Sequence, residues 1–572
     1  MMTISRGNRA YPHQGSRVQR AAAFLAVLTI IAGMQALFAP SAGADSYVPI
    51  SGSGSTWSSN ALDQWRRNVN NNYGITVNFS ANGSTSGRND FRAGQVDFAV
   101  SEIPYGLSDG GVLDPPPPRA FGYMPIVAGG TSFMYNLKVG NNRVTNLRLS
   151  GDTITKIFTQ QITNWSDPAI KADNPGLALP ARKIVPVVRS DGSGSTAQFT
   201  AWMASQYGAM WDAYCHKAGR NVTPCGFTSF YPTADGMVSK AQSQGVAGFV
   251  AQDSSEGSIT YVEYSYARNS GFPVVKVLNK ANYYVEPTAG SVAVALLAAR
   301  LHPDLTQDLS QVYISTDPRT YPLSSYSYMI LPKDTTANFN TEKGKTLSTF
   351  AYYFLCEGQQ QADALGYSPL PINLVQAGVD QVGQIPGSTH KLDRNNLSGC
   401  RNPTVSPNGG NLVAQNAPQP SQCDLKGVTQ CSTGTGGAKA STPTSGGGGA
   451  SSAGGGGSGT NGATSGGGSS NATGSTAGGD SGATGAGTAS GDGTVGGVDP
   501  VTGDPVDGST LASGSSSSGV SAVPVSVDAT DNRRQIVLGT IAAVLLLGLV
   551  LGPPLVARTM RHRAGPEGGQ LP

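Results

Sequence analysis

Val187-Val188-Arg189-Ser190-Asp191-Gly192-Ser193-Gly194-Ser195-Thr196-Ala197-Gln198-Phe199-Thr200 decides how the chain is read. A short apolar run ends in a cation, turns through hydroxyl and glycine residues, and enters a segment with Phe199, Trp202 and Met203 at the i, i+3, i+4 spacing of a helix. Ser193 and Ser195 can cap that helix, while Gly192 and Gly194 let backbone N–H groups approach a ligand closely. The helix N-terminus adds roughly half a positive charge. Arg189 supplies a planar fork suited to a tetrahedral oxyanion, and Asp191 can hold that fork in place. A single Ser/Gly turn is more often an ordinary polar loop, so recurrence carries the reading. Ser51-Gly52-Ser53-Gly54-Ser55-Thr56-Trp57 precedes a segment with Leu62, Trp65 and Val69 at helical spacing, and Asn82-Gly83-Ser84-Thr85-Ser86-Gly87 precedes a short helical stretch with Phe91. Three hydroxyl-rich helix starts are expected to converge on one anion.

The order of motifs from about Val48 to Gln384 resembles the PstS family, the phosphate-binding proteins of Pst ABC transporters. Beyond the three turns, the resemblance lies in Gly94-Gln95-Val96-Asp97-Phe98-Ala99-Val100-Ser101-Glu102, Ile162-Thr163-Asn164-Trp165-Ser166-Asp167-Pro168, Tyr261-Val262-Glu263-Tyr264-Ser265-Tyr266-Ala267 and Ala364-Leu365-Gly366-Tyr367-Ser368-Pro369-Leu370-Pro371. It implies an α/β fold of the two-lobed, hinge-closing periplasmic-binding-protein type (type II), closing on inorganic phosphate that is passed to ABC permease subunits. Carried over residue by residue, it implies a phosphate site of Thr56, Trp57, Ser84, Glu102, Arg189, Ser193, Gly194 and Ser195, with Asp191 supporting Arg189. Three positions depart from the family pattern: Trp57 stands for Phe, Ser195 for Thr, and Glu102 for Asp. The last lengthens the carboxylate by one methylene in a site that fits its ligand closely.

The remaining sequence bounds the organisation. Gly accounts for 76 of 572 residues, so part of the chain is expected to stay unfolded, and a net charge of +3 without a basic stripe argues against nucleic acid as a partner. Residues 1–44 read as a secretory signal: Arg6, Arg9, Arg17 and Arg20 precede an apolar run from Ala21 to Leu37 and the small-x-small site Ala42-Gly43-Ala44. Residues 45–400 alternate β-branched or apolar runs with amphipathic segments, the pattern of an α/β domain. Strands are expected at 75–79, 184–188 and 274–278, and helices at 291–301 and 346–355. Residues 401–431 form a cysteine-containing extension. Residues 432–531, almost wholly Gly, Ser, Thr and Ala, cannot bury enough apolar surface to fold and read as a disordered linker with a mean span of roughly 50 to 60 Å.

Residues 532–557 contain the uncharged apolar run Ile536–Val556, about 31 Å long as a helix and so able to cross a bilayer core of roughly 30 Å. With no cysteine before Cys215 to carry a lipid, this helix is the expected membrane anchor, the tail 558–572 is expected in the cytoplasm, and the binding domain outside the cell. A sortase signal would need a Leu-Pro-x-Thr-Gly motif that the sequence lacks.

The cysteines, Cys215, Cys225, Cys356, Cys400, Cys423 and Cys431, are even in number in an exported chain and favour disulfides. Fifteen pairings are open to six cysteines. Proximity in order alone prefers 215 with 225, 356 with 400 and 423 with 431. A metal site competes weakly, since there is no Cys-x-x-Cys pair and only His216 adjoins a cysteine. No cofactor, metal or catalytic residue is expected. A serine hydrolase would need a base near its nucleophile, whereas His216, His302 and His390 lie outside the Ser/Gly turns, and no Gly-Lys-Ser/Thr follows those turns to make a nucleotide site. The competing function is a surface-displayed protein that keeps the phosphate-binding fold but acts as an adhesin or phosphate sensor.

Overall fold

Runs of small and β-branched residues become the strands of one sheet: β1 (Ile50–Gly54), β2 (Val77–Ser80), β3 (Phe98–Ser101), β4 (Phe121–Tyr135), β5 (Val185–Arg189), β6 (Val238–Lys240), β7 (Ser258–Glu263) and β8 (Ser324–Pro332). The computed structural model describes residues 47–389, 393–395, 397, 399–404 and 410–440. Among them the strands lie in the order β6-β5-β7-β4-β8-β3-β1-β2. The expected signal, most of the linker, the apolar segment 532–557 and the tail lie outside the described residues, and among the described ones no helix is long and apolar enough to cross a membrane.

The sheet is two parallel halves joined by two long antiparallel strands. In one half β1 pairs parallel with both β2 and β3; in the other β5 pairs parallel with both β6 and β7. Between them β4 pairs antiparallel with β8 through Phe121–Gly130 and then with β7 through Thr131–Tyr135. One strand therefore belongs to both halves, and the chain passes from the first lobe to the second at Gly130-Thr131. Residue after residue of β4 is buried, as expected of a strand covered on both faces. Each half has its own core, one around Trp65, Phe98, Phe350 and Phe354, the other around Phe133, Phe158, Phe199 and Trp202. Burying each such side chain contributes roughly 1.5–3 kcal/mol. Trp165 and Trp202 sit in the second core.

The helices that matter for the site each follow a strand: α1 (Ser59–Tyr73), α2 (Ser84–Arg92), α3 (Gly194–Lys217) and α4 (Gln242–Val250), with α5 (Tyr264–Asn269), α6 (Ala289–Ala295) and α7 (Thr341–Leu355) beyond them. Ala61, Leu62, Trp65 and Val69 form the buried stripe of α1, and α3 breaks its helical geometry once, at Tyr207. Gly87 lets α2 lie directly on β1, since a Cβ there would collide with the Ser53–Gly54 backbone.

Expected elements shift in instructive places. The first turn is a strand as far as Gly54, and of the strand expected at 274–278 only Lys276–Leu278 is regular strand, with Val274 making a single bridge to Met134. The helix expected to run to 301 ends at Ala295 and tightens into a 3-10 turn over Leu296–Ala298, because Arg300-Leu301 pairs with Gln307-Asp308 instead. That ribbon is fixed from β8: the Gln307 side chain donates to Tyr326 O at 2.8 Å and accepts from Tyr326 N at 3.0 Å. A tertiary partner overrides local helix propensity.

All three preferred disulfides are present. One of them fastens a C-terminal strap to the first lobe, and another closes a loop within the strap. Cys356–Cys400 ties it to α7, and Asn402 Nδ2 donates to Leu355 O and Leu370 O at 3.1 and 3.2 Å. A turn of helix at Leu412–Gln415 then packs on α6 through Ala414 against Ala293 and Val294. Around Cys423–Cys431 the strap lies on the second lobe, where the fully buried Arg148 donates to Cys423 O and Val428 O at 2.8 Å and Lys276 pairs with Asp424 at 2.8 Å. Packing continues past Cys431, the end expected for the extension: Thr435 is buried and Gly437 N donates to Phe272 O at 2.9 Å.

Candidate functional site

The parallel pairings bring the C-terminal ends of β1 and β3 and of β5 and β6 to the cleft between the lobes, and with them the starts of α1, α2, α3 and α4. Four helix N-termini therefore point into one place, where their N–H groups favour negative charge. The first lobe contributes Ser55, Thr56, Ser84 and Glu102; the second contributes Arg189, Ser193–Ser195 and Ser243. All of these side chains are buried.

Direct bonds join the two sides. Gly194 N donates to Ser84 Oγ at 3.1 Å, Ser243 N donates to Thr56 Oγ1 at 3.3 Å, and the Thr56 and Ser243 hydroxyls lie 2.8 Å apart. Thr85 N donates to Gly192 O at 3.2 Å, and Tyr266 OH of α5 reaches Thr56 O at 2.5 Å. Gly194 is required by this closeness, because a Cβ there would collide with Glu102 Oε2.

Arg189 is held as its sequence position implied. Its Nε donates to Asp191 Oδ1 at 2.7 Å, Nη2 bonds the other carboxylate oxygen, and Nη1 reaches Ser243 Oγ at 3.3 Å. Asp191 is fixed in turn by Gln242 N at 2.9 Å. Beneath the turn Tyr261 OH accepts from Arg189 N at 3.2 Å and bonds Thr196 Oγ1 at 2.8 Å; burial pushes this phenol up to about 12, so it stays neutral.

Glu102 is the third charged group of the cluster. Its Oε1 accepts from Ser55 Oγ at 2.6 Å and Ser327 Oγ at 2.7 Å, and its Oε2 accepts from Ser84 Oγ at 2.7 Å. Burial pushes the carboxyl above the usual range, and the three hydroxyls and its own backbone N–H pull it back. Arg189, Asp191 and Glu102 together leave the cluster with no excess of positive charge. An anion here must be held by N–H groups, hydroxyls and helix dipoles around one arginine, next to one acceptor.

The sequence-derived residues divide by what their polar groups do. Thr56, Ser84, Glu102, Arg189, Asp191 and Gly194 meet in the bonded cluster just described. Ser195 Oγ is buried beside it without a hydrogen-bond partner. Ser193 Oγ serves its own helix, accepting from Thr196 N at 3.3 Å. Trp57 N is committed to Ser55 Oγ at 2.9 Å, while its ring packs against Tyr367 and its Nε1 donates to Thr131 Oγ1 at 3.3 Å. Sequence reasoning missed Ser55, Ser243 and Ser327. Ser243 carried a usable signal, a hydroxyl at a strand-to-helix junction like the other three; Ser327, in the middle of β8, carried none.

Residues 39–357 match the model of a PBP superfamily domain. The chain is 33% identical over 338 residues to the phosphate-binding protein PstS of Xylella fastidiosa, an alignment covering 59% of this chain and 85% of that protein. It is 29% identical over 326 residues to the phosphate-binding protein PstS 3 of Mycobacterium leprae, covering 56% of this chain and 82% of the relative. A solved phosphate-binding protein from Stenotrophomonas maltophilia aligns with a TM-score of 0.43 at 18% identity, over 62% of this chain and 98% of its own.

Proposed function

The chain belongs to the periplasmic-binding-protein superfamily and, within it, to the PstS phosphate-binding proteins, and from that membership we propose how it captures phosphate and where it does so. It is a substrate-binding protein, not an enzyme: it takes up inorganic phosphate and hands it to an ABC-type phosphate permease. The observation that supports the site is the buried cluster in which four helix N-termini surround Arg189, paired with Asp191, and the carboxylate of Glu102.

Phosphate bridges Thr56, Ser84 and Glu102 of the first lobe to Arg189, Ser193, Gly194 and Ser195 of the second, with Asp191 steadying Arg189, while the Trp57 N–H stays with Ser55 Oγ. Groups from both lobes bond one ion only when the lobes are together, so the ion stabilises the closed form by its differential contacts. Near neutral pH phosphate carries at least one proton and sulfate none. Glu102 accepts that proton's hydrogen bond from phosphate and meets sulfate as acceptor against acceptor.

The binding domain works outside the cell, exported by residues 1–44 and held by the apolar helix within 532–557 through the Gly/Ser/Thr-rich linker. Sequence composition supports this anchoring. Calorimetric titration of the full chain with phosphate and sulfate tests the function: heat from phosphate and none from sulfate is expected, and equal binding of both ions would remove Glu102 from the site.

A further inference from the structure

Glu102 presents an accounting question that the family pattern does not pose. An ionised carboxylate has about four acceptor positions, two on each oxygen. Oε1 takes two hydrogen bonds, from Ser55 Oγ at 2.6 Å and Ser327 Oγ at 2.7 Å, and Oε2 takes one, from Ser84 Oγ at 2.7 Å. Oε1 is full. Oε2, which takes one hydroxyl and lies against Gly194 at the start of α3, is the oxygen left to a ligand. That oxygen therefore borders the N-terminal turn of α3 in the opposite lobe.

The two residues that fill Oε1 come from different strands and are themselves fixed. Ser55 Oγ accepts from Trp57 N at 2.9 Å at the end of β1, and Ser327 Oγ lies 3.1 Å from Ser58 Oγ while its strand pairs with β4. Ser55 and Ser327 are both fully buried. A glutamate reaches further and rotates about one more bond than an aspartate, so it needs a stop. It also needs donors, because a buried carboxylate that lacks them takes up a proton, and a protonated Glu102 would offer sulfate an O–H.

We propose that Ser327 and Ser55 are positioning residues for ligand choice: by filling Oε1 they hold Glu102 as an acceptor and leave Oε2 to meet the ligand's proton. This rests on the reading of the cluster as the phosphate site. Neither serine touches the ligand; each acts through Glu102.

The experiment titrates phosphate and sulfate, at one pH and ionic strength, into the full chain and into Ser327→Ala, Glu102→Gln and the double variant. Loss of a hydrogen bond to a charged group lowers the ratio of phosphate to sulfate affinity in Ser327→Ala by about tenfold or more. In the Glu102→Gln background the same substitution changes the ratio by less than about twofold, since coupled residues are not additive. An unchanged ratio in Ser327→Ala, or an equal loss in both backgrounds, overturns the proposal. Ser55→Ala repeats the comparison on the same oxygen and decides it if Ser327→Ala fails to fold by circular dichroism. A parent chain that binds neither ion, or both alike, removes the phosphate reading and this proposal with it. A parent whose preference is erased by Glu102→Gln but untouched by both serine variants sinks the serine roles alone.

Discussion

Arg189 and Glu102 carry opposite charges into one buried space, and their removal has different consequences. Arg189 is pre-set by Asp191 and Ser243, so its fork needs no reordering when an anion arrives. Each charge-assisted hydrogen bond is worth roughly 1.5–3 kcal/mol, and Arg189→Ala forfeits two while leaving Asp191 unpaired beside the ion. Phosphate binding is expected to weaken by at least about a hundredfold, read by calorimetry. A variant within a few-fold of the parent would place Arg189 outside the site. Glu102→Gln changes selectivity instead: its amide can donate as well as accept, so the gap between phosphate and sulfate should narrow, and an unchanged ratio would show that Glu102 does not face the ligand.

At the scale of elements, α5 couples the site to the hinge. Glu263, at the end of β7, caps this helix by accepting from Ser265 N at 2.9 Å, and the helix carries Tyr266 to Thr56 of the other lobe. Burial pushes the Glu263 carboxyl up to about 8, whereas in the unfolded chain it titrates near 4.5. The folded state thus holds a proton that the unfolded state releases between those values. The stabilisation is complete below the unfolded value and is lost as pH rises through the folded one. The thermal midpoint is expected to fall between about pH 5 and pH 8, and Glu263→Gln should flatten that slope. An identical slope in the variant would exclude Glu263 as its source.

A second pair of elements closes the mouth of the cleft. The ribbon of Ser108-Asp109 with Val112-Leu113 is rooted on α2 by Asp114, which bonds Arg88 and Arg92 at 2.7 and 2.8 Å. Its Asp109 crosses to the loop after α3, accepting from Arg220 Nη2 at 2.8 Å, Thr228 Oγ1 at 3.1 Å and Ser229 N at 2.8 Å. Cys215–Cys225 pins that loop. These bonds exist only when the lobes are together, and they are partly exposed, which discounts the ion pair. Asp109→Ala is expected to raise the phosphate dissociation rate by about tenfold with little change in association, as stopped-flow would show. An unchanged dissociation rate would mean that the ribbon does not hold the cleft shut.

Across the whole molecule, the strap and the segment beyond it set where the chain can be cut. Deletion from Arg533 onward removes the apolar run and leaves every described contact intact. It is expected to release a folded, phosphate-competent protein into the medium, and retention in the membrane fraction would refute the anchoring. Deletion from Ser432 should do more harm, because Thr435 and Gly437 bond Val274 and Phe272 of the second lobe. Its thermal midpoint should lie below that of the chain cut at Arg533; equal midpoints would show that the last turn of the strap is idle.

The sequence by itself determined what is local. Hydroxyls and glycines set between an apolar run and a helical pattern mark strand-to-helix turns, Arg189 with Asp191 two residues on makes a held fork, and cysteines close in order pair. Each of those signals depends on neighbours along the chain. Tertiary structure alone decided what lies far apart in sequence. Ser243 meets Thr56 across 187 positions and Ser327 meets Glu102 across 225. The short ribbon at Arg300 replaces expected helix because Gln307 finds Tyr326, and a loop-like run after Cys400 becomes a strap because the buried Arg148 needs its carbonyls. Burial, lobe closure and the setting of the Glu102 carboxylate are properties of two surfaces brought together. No spacing within either surface encodes them.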